Sequence, residues 1–317
     1  MTNSLNTTYF AGLKMVFRSG AKIFATVVVM PLVFAYGLVT SPVLIAAERA
    51  AGPDIVKRGE YLFHASGCEG CHTVEKPKGP HLAGGRKLKT PFGVFVTPNI
   101  SPDPNHGIGA WRKEDFFRAM REGRSPTGDY YFPAFPYASY AAMSDTDLTA
   151  LWAYMQTEAP QQRRNKPHEL SFPFNQRWLL FFWRSLYFDD TPFTPDTIKS
   201  QQWNRGAYLV RVLGHCGECH TPRTLMGGMR LSKEFAGAKS GPEGDRVPNI
   251  TAHAVKGIGA WSKDEIVSFL ADGFLPDGDF VGGAMTEVVE NSTSRLVEDD
   301  LHAIAEFLLA TPPLAGP

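Results

Sequence analysis

Two short stretches, Cys68-Glu69-Gly70-Cys71-His72 and Cys216-Gly217-Glu218-Cys219-His220, decide how this 317-residue sequence is interpreted. Together they use all four cysteines of the chain. In a Cys-x-x-Cys-His motif the two thiols bond covalently to one haem, and the histidine ligates its iron. A zinc site or a thioredoxin-like pair does not require a histidine directly after the second cysteine. The motifs therefore predict two covalently bound haem c groups, held by Cys68, Cys71, His72, Cys216, Cys219 and His220.

An internal repeat surrounds the two motifs. The stretch Gly107-Ile108-Gly109-Ala110-Trp111 recurs unchanged as Gly257-Ile258-Gly259-Ala260-Trp261. Further upstream, Pro98-Asn99-Ile100 recurs as Pro248-Asn249-Ile250 at the same spacing. A repeat of this length predicts two similar domains in tandem, each built around one motif.

Each copy of the repeat is expected to hold three helices. The first leads into the motif, and the middle one stops at Gly123 or Gly273, because glycine suits a helix C-terminus. The last follows Ser144-Asp145-Thr146-Asp147 in the first copy, a variant of the N-terminal capping signature. Gly- and Pro-rich stretches lie between these helices and cannot form a core alone, so a haem would supply the apolar centre. The sequence predicts a mostly α-helical fold, with haem domains at 51–158 and 203–317.

The N-terminal 50 residues have the character of a membrane segment. Lys14, Arg18 and Lys22 precede an uncharged run from Ile23 to Ala47. A run of this length favours an uncleaved membrane helix, and a cleaved signal peptide is the alternative. The positive charges should stay in the cytoplasm, which puts the rest of the chain on the periplasmic side of a bacterial cytoplasmic membrane. Haem attachment of this kind also takes place outside the cytoplasm in bacteria.

A proline-rich connector at 159–202 separates the two predicted domains. Its centre, Arg177 to Phe188, is densely aromatic. We expect these aromatic side chains to pack between the haem domains. The alternative is an exposed patch for a partner protein or a bilayer surface.

The charge balance excludes one class of partner. The chain carries 32 basic and 32 acidic side chains, and its formal net charge is zero. No basic block suggests nucleic-acid binding. The sequence therefore predicts no nucleic-acid partner.

Several stretches resemble a known family. Pro136-Tyr137-Ala138-Ser139-Tyr140, Met143-Ser144-Asp145 and, less specifically, Asn165-Lys166-Pro167-His168 look like the cytochrome subunit of bacterial membrane-bound alcohol, gluconate and fructose dehydrogenases. The domains themselves resemble class I cytochrome c. The resemblance implies that the chain receives electrons from a dehydrogenase and passes them to a quinone, another cytochrome or an oxidase. It implies electron transfer within the respiratory chain, without substrate chemistry of its own.

The sixth iron ligands are expected to differ between the domains. Met285 lies at a distance from Cys219 that suits a distal methionine ligand of the second haem. The constant spacing of the repeat puts Phe135 at the matching position of the first domain, where the resembling subunits carry methionine. Met143 is the substitute ligand, or else a core residue just before a helix. A histidine ligand or an open iron remains possible, the histidine candidates being His64, His81 and His106.

An open first iron would suit a dihaem enzyme, such as a peroxidase or a thiosulfate dehydrogenase, which is the alternative function. Asn99 and Asn249 either bond haem propionates or stabilise turns. A backbone carbonyl near Pro80 or Pro222 is a candidate acceptor for the ring N–H of each iron-ligating histidine, and the sequence does not identify which carbonyl it is.

Overall fold

The computed structural model describes residues 52–75, 77–241 and 244–316. In the first half, helix α1 leads to the first motif, which is itself the short helix α2, and a β-hairpin follows. The elements of this half are α1 (Pro53–Ala65), α2 (Cys68–His72), β1 (Lys87–Thr90), β2 (Gly93–Val96), α3 (Lys113–Glu122), α4 (Tyr137–Tyr140) and α5 (Asp145–Met155).

The connector contributes strand β3 (Glu169–Leu170) and helix α6 (Leu179–Tyr187). The second half then repeats the helical order of the first. Its elements are α7 (Gln201–Tyr208), a π-helical turn (Leu209–Leu213), α8 (Gly217–His220), a 3-10 turn (Leu231–Lys233), α9 (Lys263–Asp272), α10 (Ala284–Asn291), a second 3-10 turn (Thr293–Arg295) and α11 (Glu298–Leu309).

The first and last helices of each half cross at a glycine. A Cβ atom on Gly59 would lie 2.0 Å from the Ala150 carbonyl oxygen, so α1 and α5 touch backbone to backbone. A Cβ atom on Gly206 would lie 1.9 Å from the Ala303 carbonyl oxygen, at the crossing of α7 and α11. Only glycine allows this approach, which explains why both copies of the repeat carry it.

The predicted helix ends are confirmed. Helix α3 ends at Gly123 and α9 at Gly273, with φ angles of 58° and 74° that suit glycine. The Ser144 side chain accepts a hydrogen bond from the Asp147 amide and begins α5, as its capping signature indicates. These ends depend on local sequence, and local sequence predicts them.

The π-helical turn absorbs one extra residue. The stretch from Gly206 to Cys216 is one residue longer than the stretch from Gly59 to Cys68. The Gly214 amide donates to the Leu209 carbonyl across five positions, at 2.7 Å, so the additional residue bulges without ending the helix. The second motif thereby keeps its place relative to the helix crossing.

Two polar links join the halves in a reciprocal way. Arg58 pairs with Asp147 of its own half, and Asp147 also accepts from the Tyr208 hydroxyl of the other half at 2.7 Å. In the matching arrangement, Arg205 pairs with Asp300, and the Tyr61 hydroxyl of the first half donates to Asp300. Both halves also contribute to one continuous hydrophobic core. The described part of the chain is therefore built as one unit from two similar halves.

The connector only partly follows its prediction. Trp183 is buried and donates its indole N–H to the Met226 carbonyl at 3.0 Å, which attaches α6 to the second half. The opposite face of α6 is open, since Trp178, Phe181 and Phe182 are 64%, 60% and 54% exposed. The prediction that the connector aromatics are packed is thus right for one face of α6 and wrong for the other. Successive residues are spread around a helix axis, so a continuous aromatic run covers every face of the helix.

Strand β3 pairs with β2 in an antiparallel register, Gly93 opposite Leu170, and the hairpin becomes a three-stranded sheet. No helix within the described ranges is both long and apolar enough to cross a membrane. The predicted N-terminal membrane helix lies at 1–50, outside the described residues.

Candidate functional site

Each motif histidine is fixed by a proline carbonyl. The Nδ1 atom of His72 lies 2.8 Å from the Pro98 carbonyl oxygen, and that of His220 lies 2.8 Å from the Pro248 carbonyl oxygen. If Nδ1–H donates to this oxygen, Nε2 keeps its lone pair for a metal ion. Burial lowers the pKa of both imidazoles, which favours the neutral form needed for ligation.

The structure identifies the accepting carbonyls, which the sequence leaves open. The sequence points to a carbonyl near Pro80 or Pro222, shortly after each motif, without identifying it. The structure uses Pro98 and Pro248, the first residues of the repeated Pro-Asn-Ile stretch. The repeat therefore marks the segment that orients the histidine.

A threonine after each histidine holds the intervening loop, and the sequence analysis missed it. Thr73 Oγ1 accepts from the Leu82 amide at 3.0 Å, and the Gly84 amide donates to the His72 carbonyl at 2.7 Å. Leu82 adopts a left-handed φ of 57°, unusual for a non-glycine residue. The signal was present, because Thr directly follows the histidine in both motifs.

The second half repeats this loop contact by contact. Thr221 Oγ1 accepts from the Phe235 amide at 3.1 Å, and the Gly237 amide donates to the His220 carbonyl at 2.7 Å. Phe235 has a left-handed φ of 63°, matching Leu82. Two loops of different length and sequence thus converge on one geometry around the histidine.

The four motif cysteines are unpaired thiols. All four are free, so neither motif closes a disulfide. Burial raises the pKa of Cys68 and of Cys216 to about 12, and that of Cys219 to about 11. These raised pKa values favour the protonated thiols at neutral pH. Together with a neutral histidine whose second nitrogen is fixed, this donor set fits a covalently bound haem c.

The candidate distal residues lie in unlike surroundings. Met285 is the second residue of α10 and is half-buried. Helix α10 contacts α2, the first attachment motif. Phe135 lies just before α4 and packs edge to face on Tyr131, with ring centroids 5.9 Å apart. Met143 is fully buried in the hydrophobic core, directly before α5.

The three histidine alternatives differ in their contacts. His81 has both ring nitrogens near carboxylates, 3.4 Å from Glu69 and 3.5 Å from Glu158. His106 Nδ1 lies 3.2 Å from Asp103 Oδ1. His64 on α1 has a buried Nδ1 that finds no hydrogen-bond partner within the described residues.

Asn99 and Asn249 are turn residues. The Asn99 side chain donates to the Gln161 carbonyl at 2.6 Å and accepts from the Ser101 amide at 2.9 Å. The Asn249 side chain donates to the Leu314 carbonyl at 2.6 Å and accepts from the Thr251 amide at 2.8 Å. Both side-chain amides thus hold loops, which is the turn role among the two alternatives.

Comparisons with known proteins agree with this geometry. The family model for Cytochrome c matches residues 56–159. A protein of Cereibacter sphaeroides named "Diheme cytochrome c-type" is 43% identical over 280 residues, which cover 87% of this chain and 92% of that protein. The gluconate 2-dehydrogenase cytochrome c subunit of Pantoea cypripedii is 40% identical over 270 residues, covering 83% of this chain and 60% of the subunit.

A third relative is the cytochrome c subunit of a Gluconobacter oxydans alcohol dehydrogenase (quinone). It is 38% identical over 290 residues, covering 89% of this chain and 60% of the subunit. The chain thus spans nearly the whole dihaem relative, but little more than half of the dehydrogenase subunits. It belongs to the cytochrome c family, alongside dihaem c-type cytochromes and the cytochrome subunits of bacterial dehydrogenases.

Proposed function

We propose that this chain is a dihaem cytochrome c that carries electrons from a substrate dehydrogenase into the respiratory chain. One haem would be bound by Cys68, Cys71 and His72 in a domain at 51–158. The other would be bound by Cys216, Cys219 and His220 in a domain at 203–317. The donor would be a periplasmic or membrane-bound dehydrogenase, and the acceptor a quinone, another cytochrome or an oxidase.

The observation that carries the proposal is the doubled histidine geometry. Two motifs of identical spacing each end in a histidine whose Nδ1 lies 2.8 Å from a proline carbonyl oxygen. An arrangement that fixes the ring and leaves Nε2 free is what an axial iron ligand requires. The relatives named as cytochrome subunits of dehydrogenases support the choice of electron donor.

Haem iron supplies the one-electron chemistry, and the chain's residues set its surroundings. Pro98 and Pro248 hold the imidazoles in one orientation. The core around α1, α5, α7 and α11 excludes water, which is one of the means by which a protein tunes a haem potential. We propose Met285 as distal ligand of the second iron and Met143 as that of the first. The unequal positions of these two methionines support unequal haems.

We further propose a membrane location. The uncharged run from Ile23 to Ala47 would anchor the chain, with both haem domains on the periplasmic side. Support comes from the length of the uncharged run and from the basic residues that precede it. Fractionation of cells expressing the full chain tests this directly, since an anchored protein stays with the membranes after a high-salt wash.

The electron-carrier function is tested by redox titration and turnover together. The purified holoprotein should show two one-electron steps. It should not turn over hydrogen peroxide or thiosulfate alone. Catalytic turnover of either compound would instead support the dihaem enzyme suggested by Phe135. A single one-electron step would contradict both functions.

A further inference from the structure

Tyr140 lies between the two attachment motifs. Its hydroxyl donates to the Ser66 carbonyl at 2.8 Å, two residues before Cys68. Its ring meets the imidazole of His215 edge to face, with centroids 5.3 Å apart and planes at 64°. His215 directly precedes Cys216. One hydrogen bond and one ring contact therefore span the space from the first motif to the second.

His215 occupies a backbone position that disfavours it. Its φ angle is 39°, in the left-handed region, and the matching residue before the first motif is Gly67, with φ 61°. A left-handed conformation costs a non-glycine residue roughly 1 kcal/mol or more. The second half thus keeps an imidazole where glycine would relieve strain. Strain that persists beside a cofactor motif points to a role for the side chain.

Both rings are held firmly. The Nδ1 atom of His215 lies 2.9 Å from the Leu213 carbonyl oxygen, within the π-helical turn. Tyr140 is 4% exposed, and burial raises the pKa of its hydroxyl well above the usual range, so the phenol stays protonated. Neither ring can rotate away without losing a hydrogen bond. The contact between the halves is therefore fixed in geometry.

The contact between Tyr140 and His215 has no counterpart at the matching positions of the repeat. Gly67 has no side chain that could meet a ring from the second half, and the repeat spacing places Glu290 opposite Tyr140. The π-helical turn that absorbs the extra residue of the second half also carries Leu213, which orients His215. The π-helical turn therefore accounts both for the extra residue of the second half and for the position of the Tyr140–His215 contact.

We propose that Tyr140 and His215 form the electron route between the two haems. This rests on the proposed function. One electron leaves the reduced iron of one haem and arrives at the oxidised iron of the other. Neither side chain is oxidised, and no proton moves. Tyr140 and His215 act as positioning residues that fill the gap with bonded and packed atoms, through which electronic coupling decays more slowly than through open space.

The test is exchange NMR of the partly reduced holoprotein, because haem methyl signals distinguish the two haems whatever their optical spectra. His215→Gly removes the ring and restores the residue that suits the backbone, so the variant should fold at least as well. We expect intramolecular electron exchange to slow several-fold in His215→Gly and in Tyr140→Leu. Tyr140→Phe keeps the ring, so electron exchange should slow less in this variant than in Tyr140→Leu. The double variant should be no slower than the slower single variant, because the two rings act in series.

Controls separate this inference from the function on which it rests. Phe193→Leu removes another ring contact, that between the connector and Tyr208 of the second half, and should leave the exchange rate unchanged. The midpoint potentials of all variants should stay equal, so that driving force does not change. Equal exchange rates in His215→Gly and the unmodified protein would overturn the route. A protein without two redox-active haems would instead contradict the proposed function.

Discussion

The two halves of the chain share a framework but differ where haem chemistry would be set. Both cross their outer helices at a glycine, and both fix a histidine on a proline carbonyl through a threonine-held loop. The differences are Phe135 opposite Met285, Gly67 opposite His215, and the β1–β2 hairpin of the first half, where the described residues of the second half form an isolated bridge between Ala238 and Val247. The lesson is that the repeat preserves the attachment of a haem and varies the surroundings that tune it.

The largest expected effect comes from removing one attachment site at a time. Replacing Cys68 and Cys71 by alanine should leave one haem per chain, held by the second motif. Replacing Cys216 and Cys219 should leave the other. Haem stain on a denaturing gel and redox titration check the outcome. If either pair of replacements removes both haems, the halves do not bind haem independently, and the comparison fails.

A second experiment separates the two faces of α6. Trp183→Ala should destabilise the protein by about 3–5 kcal/mol, because a buried indole and its bond to Met226 are lost. Trp178→Ala, on the exposed face, should change the free energy of unfolding by less than about 0.5 kcal/mol. Denaturant titrations of both holoproteins measure the difference. Equal losses would mean that the exposed face is covered in solution.

The reciprocal polar links come next in size. Asp147→Asn and Asp300→Asn should each cost about 2–3 kcal/mol, since a nearly buried carboxylate loses its charge and its charge-assisted hydrogen bonds to an arginine. Asp145 forms a pair with Arg121 but its side chain is 81% exposed, so Asp145→Asn should cost less than about 1 kcal/mol. Chemical denaturation at neutral pH tests all three. If Asp147→Asn and Asp300→Asn lowered the free energy of unfolding by unequal amounts, the two links would match in geometry but not in energy.

The Asp300 link also predicts a pH dependence. Burial by itself raises the pKa of Asp300, but hydrogen bonds from Arg205 and Tyr61 outweigh it, and the folded-state pKa is lowered. A lowered pKa means that the unfolded chain binds the proton more tightly. The stabilisation is therefore present above the ordinary aspartate pKa and is lost as pH falls through the folded value. Unfolding measured from neutral to acidic pH should be flatter for Asp300→Asn than for the unmodified protein.

The smallest effect expected is that of the interdomain hydroxyls. Tyr61→Phe removes the hydrogen bond to Asp300 and should cost about 1 kcal/mol. Tyr208→Phe removes the bond donated to Asp147 and the bond accepted from the Ser144 amide, and should cost about 1 kcal/mol for each. Because the two sites are separate, the losses should add in the double variant. Thermal unfolding of the four proteins checks this. A strongly non-additive result would mean that the two links open together.

Sequence predicted the local features and missed those that join distant segments. The motifs, the stops at Gly123 and Gly273 and the cap at Ser144 follow from neighbouring residues. The Pro98 carbonyl lies 26 residues from His72, and the Tyr208–Asp147 bond joins residues 61 apart. Strand β3 pairs with β2 far earlier in the sequence, Gly93 opposite Leu170. Such contacts depend on tertiary packing, which periodicity and propensity do not encode.

Spectroscopy of methionine variants tests whether the two haems have different distal ligands. Met285→Ala should change one His/Met signal and lower the potential of that haem, because a thioether ligand favours reduced iron. Met143→Ala tests whether Met143 is the distal ligand of the first haem. Loss of the remaining sulfur–iron band identifies Met143 as a ligand, whereas an unchanged spectrum with lower stability identifies it as a core residue. In the second case, carbon monoxide binding separates an open iron from a histidine ligand.

The most direct test of the central claim is the intact mass of the purified protein under denaturing conditions. Two covalently bound haems per chain predict the polypeptide mass plus two haem masses, with each motif peptide carrying one haem after proteolysis. A mass equal to the chain with one haem, or to the bare polypeptide, would contradict the account.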